Sequence, residues 1–106
     1  MTDLILILTT VPDDHRAGHI ARTLVEEGLA ACVNVHGPMT STYRWQGSVE
    51  VESERQVVIK TSRSRLAALE IRLHALHPYE LPEFVVLDAA ASGAYAAWVN
   101  DVTTSG

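Results

Sequence analysis

The apolar and polar positions predict alternating strands and helices from the start of the chain. Residues 4–8 form an uninterrupted apolar run, which is typical of a central strand covered on both faces. Pro12 followed by Asp13 and Asp14 is a helix-start signal, because proline presets φ and carboxylates complement the positive helix end. The sequence therefore predicts a helix from near Asp13 to Gly28, with an apolar stripe of Ala17, Ile20, Ala21, Leu24 and Val25.

The middle of the chain predicts a second strand and a hairpin. Residues 30–35 are a short apolar run, which Gly37-Pro38 breaks. Residues 39–46 carry Tyr, Trp and Thr, which favour strands, and Gly47-Ser48 fits a tight turn. The returning strand, residues 49–60, alternates at first, so that one face carries Glu50, Glu52, Glu54 and Gln56.

This hairpin is too long for a small domain. The returning strand would span roughly 40 Å, whereas a typical strand has about 5–6 residues. A monomer would expose apolar side chains along its distal half, which single chains avoid. We therefore expect a homo-oligomer joined through the hairpin centred on Tyr43-Arg44-Trp45-Gln46-Gly47, with Val49 and Val51 on the returning strand.

The second half predicts two more helices and a strand. A helix with the buried stripe Leu66, Leu69, Leu73 and Leu76 ends before Pro78, and Thr61, Ser62 and Ser64 are its candidate N-caps. Residues 84–87 predict a buried strand. Ser92 is the predicted cap of a last helix that buries Tyr95, Trp98, Val99 and Val102.

The element order β-α-β-β-α-β-α defines the fold class. It is the α+β, ferredoxin-like pattern with an added C-terminal helix. The 106 residues are long enough for one domain, so we expect residues 1–106 to form a single unit.

Charge and composition exclude several classes of function. The net charge is -5 and the eight Lys and Arg residues are scattered, which disfavours nucleic acid and anionic membranes as partners. The first apolar run follows Asp3, lacks a basic segment before it and is too short to span a bilayer. A lone cysteine, Cys32, fits a reducing compartment, so we expect a cytoplasmic protein.

Five local motifs together resemble the CutA family of divalent cation tolerance proteins. They are Thr9-Thr10-Val11-Pro12-Asp13, Leu29-Ala30-Ala31-Cys32-Val33-Asn34, Tyr43-Arg44-Trp45-Gln46-Gly47, Ile59-Lys60-Thr61 and His77-Pro78-Tyr79-Glu80-Leu81-Pro82-Glu83, followed by Tyr95 and Trp98. The resemblance implies a ferredoxin-like fold, a homotrimer built by long hairpins, a cytoplasmic location and a link to copper and other divalent metals. It also implies structural kinship with the trimeric PII signalling proteins, which bind small ligands in clefts between subunits.

The copper site that the resemblance implies is incomplete in this sequence. The family's proposed ligands are a cysteine at the position of Thr9 and two adjacent histidines before the proline. Thr9 and Leu76 depart from that pattern, and His77 alone matches it. Cys32 is a further soft candidate ligand, although a free cysteine in an apolar run is more often a small buried hydrophobe.

Histidines and glutamates provide other candidate ligands. His15 and His19 are four residues apart and His74 and His77 three apart, spacings that place imidazoles on one helix face. Exposed histidines are more often only solvated. The three strand glutamates fit hard cations, or the protection of a sheet edge by charge.

A cleft between subunits is the expected place for a binding site. Its candidate residues have polar tips and lie in loops or at strand ends: Tyr43, Trp45, Lys60, His77, Tyr79 and Glu80. Burial of the same residues in an oligomer interface is the alternative. The sequence thus favours a non-enzymatic trimer that handles divalent metal, with copper the metal that the resemblance implies. A PII-like regulatory module that binds a small anion or metabolite is the second hypothesis, and an enzyme is the third.

Overall fold

Within residues 4–103, which the computed structural model describes, four strands and three helices follow the predicted order. The strands are β1 (Leu4–Pro12), β2 (Cys32–Trp45), β3 (Ser48–Ser62) and β4 (Val85–Asp88). The helices are α1 (Arg16–Glu26), α2 (Leu66–Leu76) and α3 (Gly93–Thr103), and a 3-10 turn over Arg63–Arg65 precedes α2. The α+β class is confirmed.

The four strands form one antiparallel sheet in the order β2-β3-β1-β4. Ile7 of β1 lies between Ile59 of β3 and Val86 of β4. Residues of this row and the apolar sides of α1 and α2 form the main core, with Ile20, Leu24, Leu69 and Leu73 almost fully buried. The two helices therefore cover one face of the sheet, called the first face.

β1 and α1 meet later in the chain than predicted. β1 extends to Pro12, because residues 9–12 pair with β3 rather than leading directly into a helix. α1 begins at Arg16, whose amide donates a hydrogen bond of 2.9 Å to Asp14 Oδ1. The acidic residues thus precede the helix, where Asp14 satisfies an otherwise unpaired helical amide.

The predicted caps of the later helices have different outcomes. α2 begins after Arg65, which makes no capping bond, and the hydroxyl of Ser62 instead pairs with that of Thr103 at 2.8 Å. Serine capping of α2 is therefore wrong, because the 3-10 turn separates that serine from the helix. The cap of α3 is confirmed: the amide of Tyr95 donates to Ser92 Oγ over 3.3 Å.

Gly37-Pro38 does not end a strand. β2 continues through it, and its pairing with β3 shifts between His36 and Met39. Proline lacks a backbone donor and is tolerated where the ladder is already interrupted. The predicted break is a bulge within one 14-residue strand.

The hairpin extends beyond the body of the molecule as predicted. β1 pairs with β3 only from Glu54 onwards. Among residues 4–103, the strand residues 40–53, here called the arm, therefore form backbone pairs only with each other. The arm turns at Gln46-Gly47, where both residues have positive φ, one position before the predicted turn. Val49 and Val51 on the arm are 61% and 62% exposed. The arm is a two-stranded ribbon that exposes the two valines on one face and carries Glu50 and Glu52 on the other.

The opposite, second face of the sheet is only partly covered. Val99 of α3 packs on Leu4 and Ala31, which closes a small second core. The prediction that α3 and β4 are otherwise buried is wrong for the single chain, in which Trp98 is 44% exposed. The reason is that a short helix at one end of a sheet leaves neighbouring apolar side chains uncovered: Tyr95, Val102, Val85 and Leu87.

Candidate functional site

A concave site lies where the arm meets the loop between α2 and β4. Its walls are three aromatic rings together with Pro78, Glu80 and Leu81, the rings being Tyr43, Trp45 and Tyr79. This space, the arm cavity, has a volume of about 290 Å³. A neighbouring cavity of about 600 Å³ shares the three aromatic residues and reaches Thr10, Glu54 and Glu83. The fold thus gathers residues from two distant parts of the sequence around one concavity.

A buried carboxylate fixes one wall of the arm cavity. Glu54 is only 5% exposed, and its Oε2 accepts a hydrogen bond of 2.5 Å from the phenol of Tyr79. Burial, followed by the bond to this carboxylate, raises the pKa of Tyr79. The phenol therefore stays protonated at neutral pH and acts as a donor to the charged acceptor.

His77 lies behind the same wall with both ring nitrogens occupied. Its Nε2 donates to the carbonyl of Thr10 over 2.7 Å, and its Nδ1 accepts the amide of Tyr79 over 3.1 Å. The ring also contacts the Tyr79 ring, with centroids 4.8 Å apart. Burial is the main cause that lowers the pKa of His77. This neutral imidazole positions the loop, and neither nitrogen has a lone pair free for a metal ion.

The far end of the loop is fixed by Gln56. Its amide donates to the carbonyl of Thr9 over 2.7 Å and to Glu83 Oε2 over 3.2 Å. Pro82, which directly precedes Glu83, is buried, while Leu81 remains 71% exposed. The loop is therefore held at both ends and presents its middle to the arm cavity.

The arm face that lines the cavity is acidic. Tyr43 pairs directly with Glu50 of β3, and strand alternation puts Glu52 and Glu54 on the same face. Burial and then the charges of Glu52, Glu54 and Glu50 raise the pKa of Tyr43. The negative potential is therefore felt at the cavity wall. The edge-protection interpretation does not describe Glu54, which is buried and hydrogen-bonded between β1 and the arm.

Lys60 and Cys32 lie elsewhere. They pair with each other across β2 and β3, and Lys60 also pairs with Leu6. Lys60 is six residues along β3 from Glu54, or about 20 Å. Cys32 is partly buried, and its thiol has Asn34 Oδ1 as a weak acceptor at 3.9 Å. The structure thus separates Cys32 from His77 and Lys60 from the arm cavity.

The histidine pairs also differ from one another. His15 and His19 are both exposed, and a backbone hydrogen bond of 3.2 Å joins their residues across one turn. His74 and His77 do not share a helix face, because α2 ends at Leu76 and the residue before Pro78 is extended. No group of three or more His, Cys, Asp or Glu residues capable of holding a metal ion is found within residues 4–103. The residues of one described chain therefore do not fit a copper centre.

Two site residues escaped the sequence reasoning. Glu54 belongs to an alternating acidic stretch, and nothing in the sequence distinguishes it from its exposed neighbour Glu52. Gln56 follows in the same alternation, and its role depends on a loop about 27 residues later. A clue was available in Pro78 and Pro82, which stiffen the loop that both residues hold.

The fold and site define a class of protein: a ferredoxin-like α+β chain with an extended hairpin arm and an aromatic, acidic cavity at its base. Residues 5–102 match the CutA1 divalent ion tolerance protein family, and the chain belongs to that family. The divalent-cation tolerance protein CutA of Thermus thermophilus is 43% identical over 99 residues, covering 92% of this chain and 96% of the relative.

Solved structures agree with this assignment. A crystal structure of CutA from Xylella fastidiosa superposes with a TM-score of 0.93 at 42% identity, covering 97% of this chain and all of the other. A structure titled periplasmic divalent cation tolerance protein CutA, from Archaeoglobus fulgidus, has a TM-score of 0.90 at 27% identity, covering 95% and 99% of the two chains. No helix within residues 4–103 is long and apolar enough to cross a membrane.

Proposed function

We propose that this protein is a non-enzymatic homotrimer that acts in divalent metal tolerance. The main support for assembly is the arm. Among residues 4–103 its backbone pairs only within the hairpin, and it exposes Val49 and Val51. Exposed apolar ribbons favour pairing with another chain. The second face adds an uncovered apolar area at β4 and α3, so two surfaces of each chain are available for association.

Mass measurement tests the trimer. Light scattering at micromolar concentration should give three times the 11.6 kDa of one chain, and a monomer would overturn the proposal. Val51→Glu should weaken assembly, because it places a charge on the valine-bearing face of the arm. Ile71→Glu is the matched control, since Ile71 is 74% exposed on α2, away from the arm.

The proposal further includes direct binding of copper by the protein. Of the two candidate ligands, the partly buried Cys32 thiol is the softer donor, and we propose that copper binding involves it. The other candidate, His77, has to give up a hydrogen bond before it can bind. Titration of tag-free protein with copper should give stoichiometric sub-micromolar binding. Cys32→Ser and His77→Ala identify the ligand, and binding no tighter than surface chelation would refute this part.

Growth in excess metal tests the biological role. Loss of the protein should lower the copper concentration that cells tolerate, and Val51→Glu should fail to restore tolerance if the assembled form is required. Unchanged tolerance of several divalent metals in cells lacking the protein would contradict the proposed role. We place the protein in the cytoplasm, consistent with its single cysteine, and detection in another cell fraction would overturn that location.

The arm cavity favours a second candidate function. A PII-like regulatory module would bind a small ligand near the hairpin and pass the signal to a partner protein. Aromatic walls, a volume of about 290 Å³ and a buried hydrogen-bonded carboxylate suit a small-molecule site. A thermal-shift screen tests it, since a ligand at 100 times its Kd adds about 2.7 kcal/mol of stability. A broad library that gives no shift would count against this function.

A further inference from the structure

The arm cavity combines two features that select the charge of its ligand. The first is its wall of three aromatic rings, which come from β2 and from the loop after α2. Aromatic rings carry negative electrostatic potential on their faces and attract cations positioned within about 6 Å. Pro78 and Leu81 add apolar surface beside these rings.

The second feature is the carboxylates around those rings. Glu80 lines the cavity itself, Glu54 lies at the base of the adjoining cavity, and Glu50 and Glu52 follow the same face of the arm. Arg44 is a basic residue that lines the adjoining cavity, and strand alternation directs its side chain away from Tyr43 and Trp45. Arg16 also interacts electrostatically with Tyr79, but the glutamates around the rings outnumber the two arginines, so an anion is disfavoured. A neutral apolar ligand would desolvate carboxylates without compensation.

We propose that the arm cavity binds an organic cation, namely an alkylammonium group held against Tyr43, Trp45 and Tyr79 and neutralised by the surrounding glutamates. The proposal rests on the ligand-binding candidate described above and specifies its ligand class. The proposed ligand is a cation, whereas the PII-like hypothesis included a small anion, so the two ligands have opposite charge. A quaternary ammonium is the best probe, because it has no hydrogen-bond donors and leaves the aromatic faces and charge as the only sources of selectivity.

Tryptophan fluorescence provides a local measurement. The chain has two tryptophans, and Trp98→Phe leaves Trp45 as the sole reporter within the arm cavity. The full-length assembled variant is titrated with choline and with its uncharged isostere 3,3-dimethyl-1-butanol. Choline should change the emission saturably. It should bind at least about tenfold more tightly than 3,3-dimethyl-1-butanol, a difference in binding free energy of about 1.4 kcal/mol. Emission of N-acetyltryptophanamide in the same solutions corrects for bulk effects.

Matched variants locate the binding. Glu80→Gln should weaken choline binding several-fold, whereas Glu70→Gln, on exposed α2, should leave it unchanged.

Three outcomes would overturn the proposal. Equal binding of choline and its isostere would make the site apolar rather than cationic. Saturable binding of inorganic phosphate or acetate without choline binding would reverse the charge. Absence of any choline response would remove the ligand class. The first two results leave the ligand-binding function standing, and after the third the thermal-shift screen decides that function independently.

Discussion

The phenol of Tyr79 donates a hydrogen bond of 2.5 Å to the buried carboxylate of Glu54, and so joins the loop after α2 to the third strand. The same tyrosine donates its amide to His77, which in turn donates to the carbonyl of Thr10. One residue therefore connects the base of the arm, the loop and the central strand. Hydrogen bonds to charged acceptors are stronger than neutral ones.

Removal of this phenol should destabilise the fold. Tyr79→Phe leaves the buried Glu54 carboxylate without its donor, and we expect the free energy of unfolding to fall by about 1–3 kcal/mol. Tyr95→Phe, on the exposed side of α3, should change it by less than about 0.5 kcal/mol. Denaturant unfolding at equal protein concentration measures both, because assembly also contributes to stability. A change no larger for Tyr79→Phe than for Tyr95→Phe would refute the pairing.

Burial of His77 predicts a loss of stability in acid. Its pKa is lowered from 6.5 chiefly by burial, so the unfolded chain binds more protons at this residue than the folded chain does. The free energy of unfolding should therefore fall as the pH decreases through 6.5 and level off below the folded-state pKa. At pH 8 the residue is neutral in both states and contributes no pH dependence.

Variants isolate this pH dependence. His77→Gln should show a shallower loss of stability between pH 8 and acid than the native protein. His19→Gln, which replaces an exposed histidine of α1, should retain the native profile. Unfolding free energies measured across this pH range provide the comparison, and parallel curves for the native protein and His77→Gln would show that His77 is not responsible.

Two glycines of the α1 region should respond in opposite directions to alanine. Gly28 has φ of +69°, and an added Cβ would meet no atom closer than the Val102 carbonyl at 3.8 Å. Gly28→Ala should therefore cost about 1–2 kcal/mol through backbone strain alone. Gly18 lies within α1 in open space, so Gly18→Ala should stabilise the protein by about 0.5–1 kcal/mol. Thermal and denaturant unfolding would detect both, and equal signs would contradict the backbone explanation.

Two apolar residues of α2 should differ sharply when shortened to alanine. Leu73 is fully buried in the main core, and Leu73→Ala should cost about 2–5 kcal/mol through lost burial and a residual cavity. Ile71 lies two positions earlier and is exposed, so Ile71→Ala should cost less than about 1 kcal/mol. Comparable losses would show that both side chains are buried in solution, with Ile71 covered by another chain.

The sequence was sufficient for the element order and the long hairpin. Both depend on local signals: the apolar run of β1, the helical stripes, and Gly47 at the end of a strand-forming segment. Boundaries were less accurate because tertiary pairing overrides local start signals. The extension of β1 to Pro12 depends on a partner strand more than 40 residues later.

The candidate site was predictable only in part. Tyr43, Trp45, Tyr79 and Glu80 were identified from residue type and position, and the fold brings them around one cavity. The prediction that α3 is buried was wrong for a related reason. An apolar stripe predicts that a surface will be covered, but does not indicate whether the same chain or another one covers it.

The arm turn at Gln46-Gly47 bears on how the protein reaches its final form. Every backbone pairing in the arm joins residues less than about 15 positions apart, so the ribbon can form by local zippering, which takes about 1–10 μs for a hairpin. Covering its valines requires collision with another chain, a step whose rate depends on concentration. Newly made chains would therefore form the hairpin, with its valines exposed, before they meet a partner. The time for which these valines stay exposed would depend on the concentration of other chains.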